Sequence, residues 1–432
     1  MSYIHTQTNA KQLVWNAPAY KKVASYEAIK GNFGRCLLLY SGGLDTSVML
    51  KWLQEEYGCE VVALTVDIGQ RADDLEAIRQ KALDLGAVEA LVYDAKTEFA
   101  ESVLSLAIQA NADYQGGYTL HTPLGRVMIS KIAVQIAEKS NCEVVAHGCT
   151  GKGNDQVRFE SYITTLAPHL KIIAPVREWA MGRAEELAYA KKHGISVIQT
   201  EASLYSYDEN MWGNSAEGGE IEKPSLEAPL EKILRWCNPI ASTPIEPAYI
   251  TIEFAHGVPV GVQDKKMPLV DIISHCNLLG ARHGVGVVHL IEDRLVGLKV
   301  RGIFENPGGT ILTQAHKKLE MLVSTRVENE MKSFIDQKWA YLLYAAQWFE
   351  PTMAHLHAYI KNQNKKVSGS VTVKLHQGSV VVVSLDSPYS LFNENLATFE
   401  RNPAFNQNAS PGFIEIYNLS QQTSYGVYNY EQ

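Results

Sequence analysis

Five apolar runs alternate with helix-length stretches between residues 36 and 174, and this rhythm constrains the fold more than any other feature. Strands are expected at 36–40, 60–66, 87–93, 143–147 and 170–174. Helices are expected between them at 45–57, 72–85, 97–112 and 124–140. In the last of these, Val127, Ile129, Ile132, Ala133, Ile136 and Ala137 recur at near-helical spacing. Such alternation specifies an α/β fold with a doubly wound parallel sheet, because a helical crossover returns each strand to the same direction. Ligands in such sheets sit outside the carboxyl ends of the strands.

The first of those ends carries Ser41-Gly42-Gly43-Leu44-Asp45-Thr46-Ser47. It follows Cys36-Leu37-Leu38-Leu39-Tyr40 and precedes a helix whose Val48, Met49, Trp52 and Leu53 share one face. Adjacent glycines let backbone amides approach a polyanion, and the helix end adds partial positive charge. The hydroxyls of Ser41, Thr46 and Ser47 supply further donors. No Gly-Lys-Ser/Thr follows, so this is not a Walker A loop, and it suits a leaving pyrophosphate better than γ-phosphate transfer.

A second string, His147-Gly148-Cys149-Thr150-Gly151-Lys152-Gly153-Asn154-Asp155-Gln156-Val157-Arg158, follows another strand-like run. Its glycines allow close backbone approach, and its polar density suits a small zwitterion. Asp155 would meet an ammonium, and Arg158 a carboxylate by bidentate contact. A third string runs from Ser206-Tyr207-Asp208 through Trp212-Gly213-Asn214-Ser215 to Glu217. Arg126, in Tyr118-Thr119-Leu120-His121-Thr122-Pro123-Leu124-Gly125-Arg126, could meet a carboxylate or a phosphate.

The Ser41–Ser47 string resembles that of the PP-loop ATP pyrophosphatases, which split ATP between the α- and β-phosphates. All three strings together resemble the argininosuccinate synthase family, over residues 34 to about 395. The resemblance implies an adenine nucleotide α-hydrolase-like domain followed by an α+β synthetase and oligomerisation domain. It also implies a C–N bond-forming ligase of arginine biosynthesis. In that reaction citrulline, aspartate and ATP would give argininosuccinate, AMP and pyrophosphate through a citrullyl-adenylate, with Mg2+ accompanying the nucleotide. By motif match, Leu39, Tyr40, Ser41, Gly42, Gly43, Leu44, Asp45, Thr46, Ser47, Val66, His147, Gly148 and Thr150 would hold ATP. Thr150, Asn154 and Asp155 would hold aspartate. Tyr118, Asn154, Arg158, Ser206, Ser215, Glu292 and Phe304 would hold citrulline. Asp45 and Asp155 are the catalytic candidates, and no dedicated protein metal site is expected.

The family usually has tyrosine where Phe304 stands, serine at Val300 and asparagine at Asp293. The missing hydroxyl at 304 leaves open a PP-loop ligase acting on a different ureido or amide substrate. A non-catalytic ATP-binding derivative is the other alternative, although Thr150, Asn154, Asp155, Arg158, Ser206 and Glu292 are all retained.

The 432 residues suit two or three domains, and 46% apolar content is ample for their cores. The expected divisions are an N-terminal extension (1–32), the nucleotide-binding domain (33–195), the synthetase domain (196–397) and a tail (398–432). A net charge of −8 argues against a nucleic-acid partner. Six cysteines without a Cys-x-x-Cys pair argue against structural zinc. No apolar run approaches the length of a membrane span, and residues 1–30 lack the apolar core of a secretory signal, so a cytoplasmic enzyme is expected.

Beyond 195, residues 213–247 read as an extended connection carrying part of the site. Hairpins are expected to turn at Ala255-His256-Gly257 and His376-Gln377-Gly378, with a helix over 267–279. Strands over 285–300 should break at Glu292-Asp293-Arg294. Two amphipathic helices should fill 310–349 with a break near Ser324-Thr325. Met331, Phe334, Ile335, Trp339, Leu342 and Ala346 would mark one face of the second. The family resemblance implies a homotetramer joined by a C-terminal helical arm, but no apolar stripe is legible after 398, so the arm is not expected here.

Overall fold

The computed structural model describes residues 30–71, 74–179, 181–195, 204–398 and 405–429. Residues 1–29 of the expected extension lie outside them. Strands β1 (Arg35–Leu39), β2 (Glu60–Asp67), β3 (Glu89–Asp94), β4 (Val144–Ala146) and β5 (Lys171–Ile173) form one parallel sheet in the order β3-β2-β1-β4-β5. Both faces are covered, so β1 can be apolar throughout. Leu37 joins one core with Leu124, Val127 and Met128 of the helix His121–Lys139. Cys36 and Leu38 join another with Val48, Leu50 and Leu53 of the helix Leu44–Tyr57. The strand order reverses at β1 and β4, so the loops after these two strands flank the crevice where ligands are expected.

The remaining sheets are antiparallel. Strands β6 (Ser206–Asn210), β7 (Gly213–Glu217), β8 (Ala248–Ala255), β9 (Val258–Val262), β10 (Lys265–Lys266), β11 (Val287–Asp293), β12 (Lys299–Glu305), β13 (Gly369–His376) and β14 (Ser379–Asp386) give the orders β11-β12-β7-β6 and β10-β9-β8-β13-β14. Both expected hairpins form. Their turns place His256, Gly257, Gln377 and Gly378 at positive φ, as the twist of a two-residue hairpin requires. The helices Pro307–Val323 and Arg326–Tyr344 part at Ser324-Thr325, where a capping box between Thr325 and Glu328 starts the second.

Four expectations need correction. The stretch 213–247 contains β7, an inner strand rather than an extended connection. Glu292 and Asp293 end β11, and the break falls one step later, where Arg294 N–H closes onto Leu298 O. Met331 and Phe334 point to solvent, while Ile335, Trp339 and Leu342 are buried. The tail does form a helix, Ser410–Tyr428, with Phe413, Ile414, Ile416, Tyr417 and Leu419 exposed. Among the described residues no helix is long and apolar enough to cross a membrane.

Candidate active site

The loop after β1 is shaped by its own hydroxyls. Tyr40 Oη lies 3.1 Å from Ser47 Oγ, and Ser41 Oγ lies 3.1 Å from Thr46 Oγ1. Gly42 has φ 78, and a Cβ there would come within 2.9 Å of Ile78 Cγ1. Gly43 begins the helix Leu44–Tyr57 without a side-chain cap, as suits a helix start that is to receive an anion. A cavity of about 710 Å³ opens beside the loop, walled by Leu39, Leu64, Val66, Ile68 and Ile129. Apolar walls beside an uncapped glycine loop suit a nucleotide, with its base against the walls and its phosphates at the amides.

One cation reaches this loop from elsewhere. Lys81, on the helix Leu75–Asp84, donates to Gly42 O at 2.9 Å and lines the same cavity. Burial lowers its pKa. Its position along a different helix gave no sequence signal of this approach.

A second cavity of about 940 Å³ adjoins the first and shares Ser41, Gly43, Leu44 and Arg126 with it. Asp45, Thr46, Gly148, Thr150, Asn154, Asp155, Arg158, Tyr118, Ser206, Ser215, Glu292 and Phe304 all line it. The fold thus brings residues from the loops after β1 and β4 together with residues from β6, β7, β11 and β12. Ser47 and His147 lie behind the surface instead. Ser47 is bonded to Tyr40, and His147 accepts from Cys149 N–H at Nδ1 (3.2 Å), which leaves Nε2 facing Glu160 at 3.3 Å. Val66 is strand core and cavity wall together.

Charges in the second cavity alternate in a row. Arg158 donates to Asp155 at 2.8 Å, Arg126 donates to Asp155 at 2.8 Å, and Arg126 also bonds Asp208. Burial pushes the Asp155 carboxyl up, but the two guanidiniums overcome this and hold it down at about 2. At Asp208 burial, helped by the nearby Asp155 charge, outweighs the pull of Arg126, and the pKa is raised. Asp208 lies in the quoted third string, but its role emerges only from the β6–β7 pairing, which sets it opposite Ser215.

Asn154 is committed at both ends. Its Oδ1 accepts from Leu295 N–H at 2.9 Å, and its Nδ2 donates to Tyr344 Oη at 2.8 Å, leaving one amide hydrogen for a ligand. Phe304, opposite Ser215 on β7, is 3% exposed and packs 4.5 Å from the Tyr118 ring and 6.1 Å from His121.

A parallel sheet whose switch point joins an uncapped glycine loop to a charged cleft has the architecture of a nucleotide-binding enzyme. Residues 35–196 match the family described as the Arginosuccinate synthase N-terminal HUP domain, and residues 205–424 match the Arginosuccinate synthase C-terminal domain. The chain is 46% identical over 385 residues to the argininosuccinate synthase of Symbiobacterium thermophilum, an alignment covering 89% of this chain and 96% of that one. It is 45% identical over 393 residues to that of Pyrococcus furiosus, covering 91% and 95%. The chain belongs to the argininosuccinate synthase family.

Proposed function

We propose that this enzyme condenses citrulline with aspartate, converting ATP to AMP and pyrophosphate. The observation that carries the reading is the junction of the two cavities at Ser41, Gly43, Leu44 and Arg126. A nucleotide in the first would present its phosphates where an amino acid in the second can reach them. In this reading residues 33–195 hold the nucleotide, and residues 196–397 close the amino-acid side. Leu39 to Thr46, Val66, Gly148 and Thr150 contact ATP, while Ser47 and His147 brace that surface from behind. Mg2+ arrives with the nucleotide, and Asp45 is the nearest carboxylate on the loop to meet it. Among the described residues no cluster of three or more His, Cys, Asp or Glu side chains is arranged to hold a metal.

Thr150, Asn154 and Asp155 face aspartate; Tyr118, Asn154, Arg158, Ser206, Ser215, Glu292 and Phe304 face citrulline. The cleft's contribution is positioning and charge neutralisation, which suffice when ATP supplies the activated phosphorus. A homotetramer is the proposed assembly, supported by the exposed apolar face of the Ser410–Tyr428 helix. The test is pyrophosphate release with each amino acid omitted in turn. Release that needs both amino acids and yields AMP is expected; ADP in place of AMP would overturn the reading.

A further inference from the structure

Three side chains of the amino-acid cleft converge on one residue that does not line it. Tyr344 is fully buried at the last turn of the helix Arg326–Tyr344. Its hydroxyl accepts from Asn154 Nδ2 at 2.8 Å and faces Glu292 Oε1 at 2.8 Å and Asp293 O at 2.9 Å. Its backbone carbonyl accepts from Arg158 Nε and Nη2 at 3.4 and 3.3 Å, and the Arg158 guanidinium lies 5.1 Å from the ring centroid. The Tyr114 ring stacks on it at 3.8 Å. Burial, reinforced by Glu292, raises the phenol pKa, so the hydroxyl keeps its proton and can donate at any working pH.

Asn154 and Arg158 belong to the segment after β4, whereas Glu292 sits near the end of β11. Their strands lie in different sheets, and the Asn154–Leu295 bond ties the segment after β4 only to the turn beyond Glu292, not to Glu292 itself. We propose that Tyr344 is a positioning residue that sets the spacing of Asn154, Arg158 and Glu292 across the cleft. The proposal rests on the reading that this cleft holds the amino-acid substrates. The competing role is a structural strap, and Tyr114 offers the comparison. Its hydroxyl donates to Asp293 O at 3.1 Å and lies beside the Tyr344 hydroxyl, but among the described residues no hydrogen bond joins it to Asn154, Arg158 or Glu292.

Tyr344→Phe keeps the ring and its stack and removes only the hydroxyl. It is expected to raise the KM for citrulline about tenfold, with the KM for ATP held within about twofold. Tyr114→Phe is expected to lower the melting temperature and leave both KM values within about twofold. Unchanged citrulline KM in Tyr344→Phe overturns the proposal, as does an equal rise for ATP or an equal effect of Tyr114→Phe. If the wild type fails to use citrulline, the substrate reading falls, and the same comparison is made with the ureido or amide compound it does turn over. Hydrogen exchange gives a readout without turnover. Loss of the hydroxyl frees Asn154 and should speed exchange of the Leu295 amide; an unchanged rate there counts against Tyr344 as a positioning group.

Discussion

Arg126 and Asp155 meet at 2.8 Å on the boundary between the two cavities, and Arg158 closes on the other oxygen of the same carboxylate at 2.8 Å. Asp155 is therefore both a salt-bridge partner and a half-buried part of the cleft lining. The two roles separate in kinetics. Asp155→Asn should raise the KM for aspartate far more than that for citrulline, and Arg158→Ala should do the reverse. Identical effects of both changes on both substrates would mean that the pair is structural only. The stability consequence has a definite sign. A carboxyl lowered to about 2 contributes stability that is present above its ordinary pKa and lost as pH falls toward that value. The melting temperature of Asp155→Asn should therefore lie below that of the wild type at neutral pH, and the gap should narrow in acid.

Phe304 stands where the resemblance led us to expect tyrosine. Its ring packs against Tyr118 and lines the cleft, so a hydroxyl at its para position would be added within a largely buried site. A neutral hydrogen bond contributes about 0.5–1.5 kcal/mol, so Phe304→Tyr should tighten citrulline binding by up to about tenfold. The KM for ATP should hardly move. Impaired activity would instead mean that the pocket is fitted to the phenyl ring, and a screen of ureido and amide compounds would then identify what it takes.

The parallel half of the fold was legible because its strands are buried on both faces and read as unbroken apolar runs. The glycine loop was legible because chemistry and backbone geometry both demand those residues. What escaped notice was polar or remote. Strand β7 reads Gly-Asn-Ser-Ala-Glu, with no β-branched residue, because Asn214 bonds Glu305 and Ser215 faces the cleft. Tyr344 and Lys81 act through approaches made by tertiary packing, which no local spacing encodes. The terminal helix escaped notice because its apolar residues are interleaved with polar ones, and among the described residues none of them is buried.

That helix leads to a further prediction. Phe413, Ile414, Ile416, Tyr417 and Leu419 are all more than half exposed, a surface that a second copy of the chain could cover. Deleting residues 399–432 should lower the mass measured by light scattering while leaving the melting of the remainder cooperative. An unchanged mass would assign the assembly to another surface.

Lys332 tests the packing between the segment before the His121 helix and the two long helices. It is 2% exposed and donates to Gln109 O at 2.8 Å and Asp336 at 2.6 Å, with Glu320 at 3.1 Å. Asn111 bonds both carboxylates at 2.8 Å, so the cluster ties the segment before the His121 helix to the two long helices. Removing one partner of a buried pair costs about 3–5 kcal/mol, because the stranded charge remains. Lys332→Met should therefore be strongly destabilised at neutral pH. Burial raises Asp336 to about 7, against the opposing pull of Lys332. A carboxyl raised in the folded state favours folding at low pH, and that contribution is lost as pH rises through its folded value. Without Lys332 the folded-state pKa should climb further, since its main opposing charge is gone. The melting-temperature gap between wild type and Lys332→Met should thus shrink as pH falls from alkaline values toward about 7, where Asp336 of the variant takes up its proton before the wild type does, and level off below that. A gap that stays constant or widens on acidification from about pH 9 to pH 7 would show that Asp336 does not carry the stranded charge.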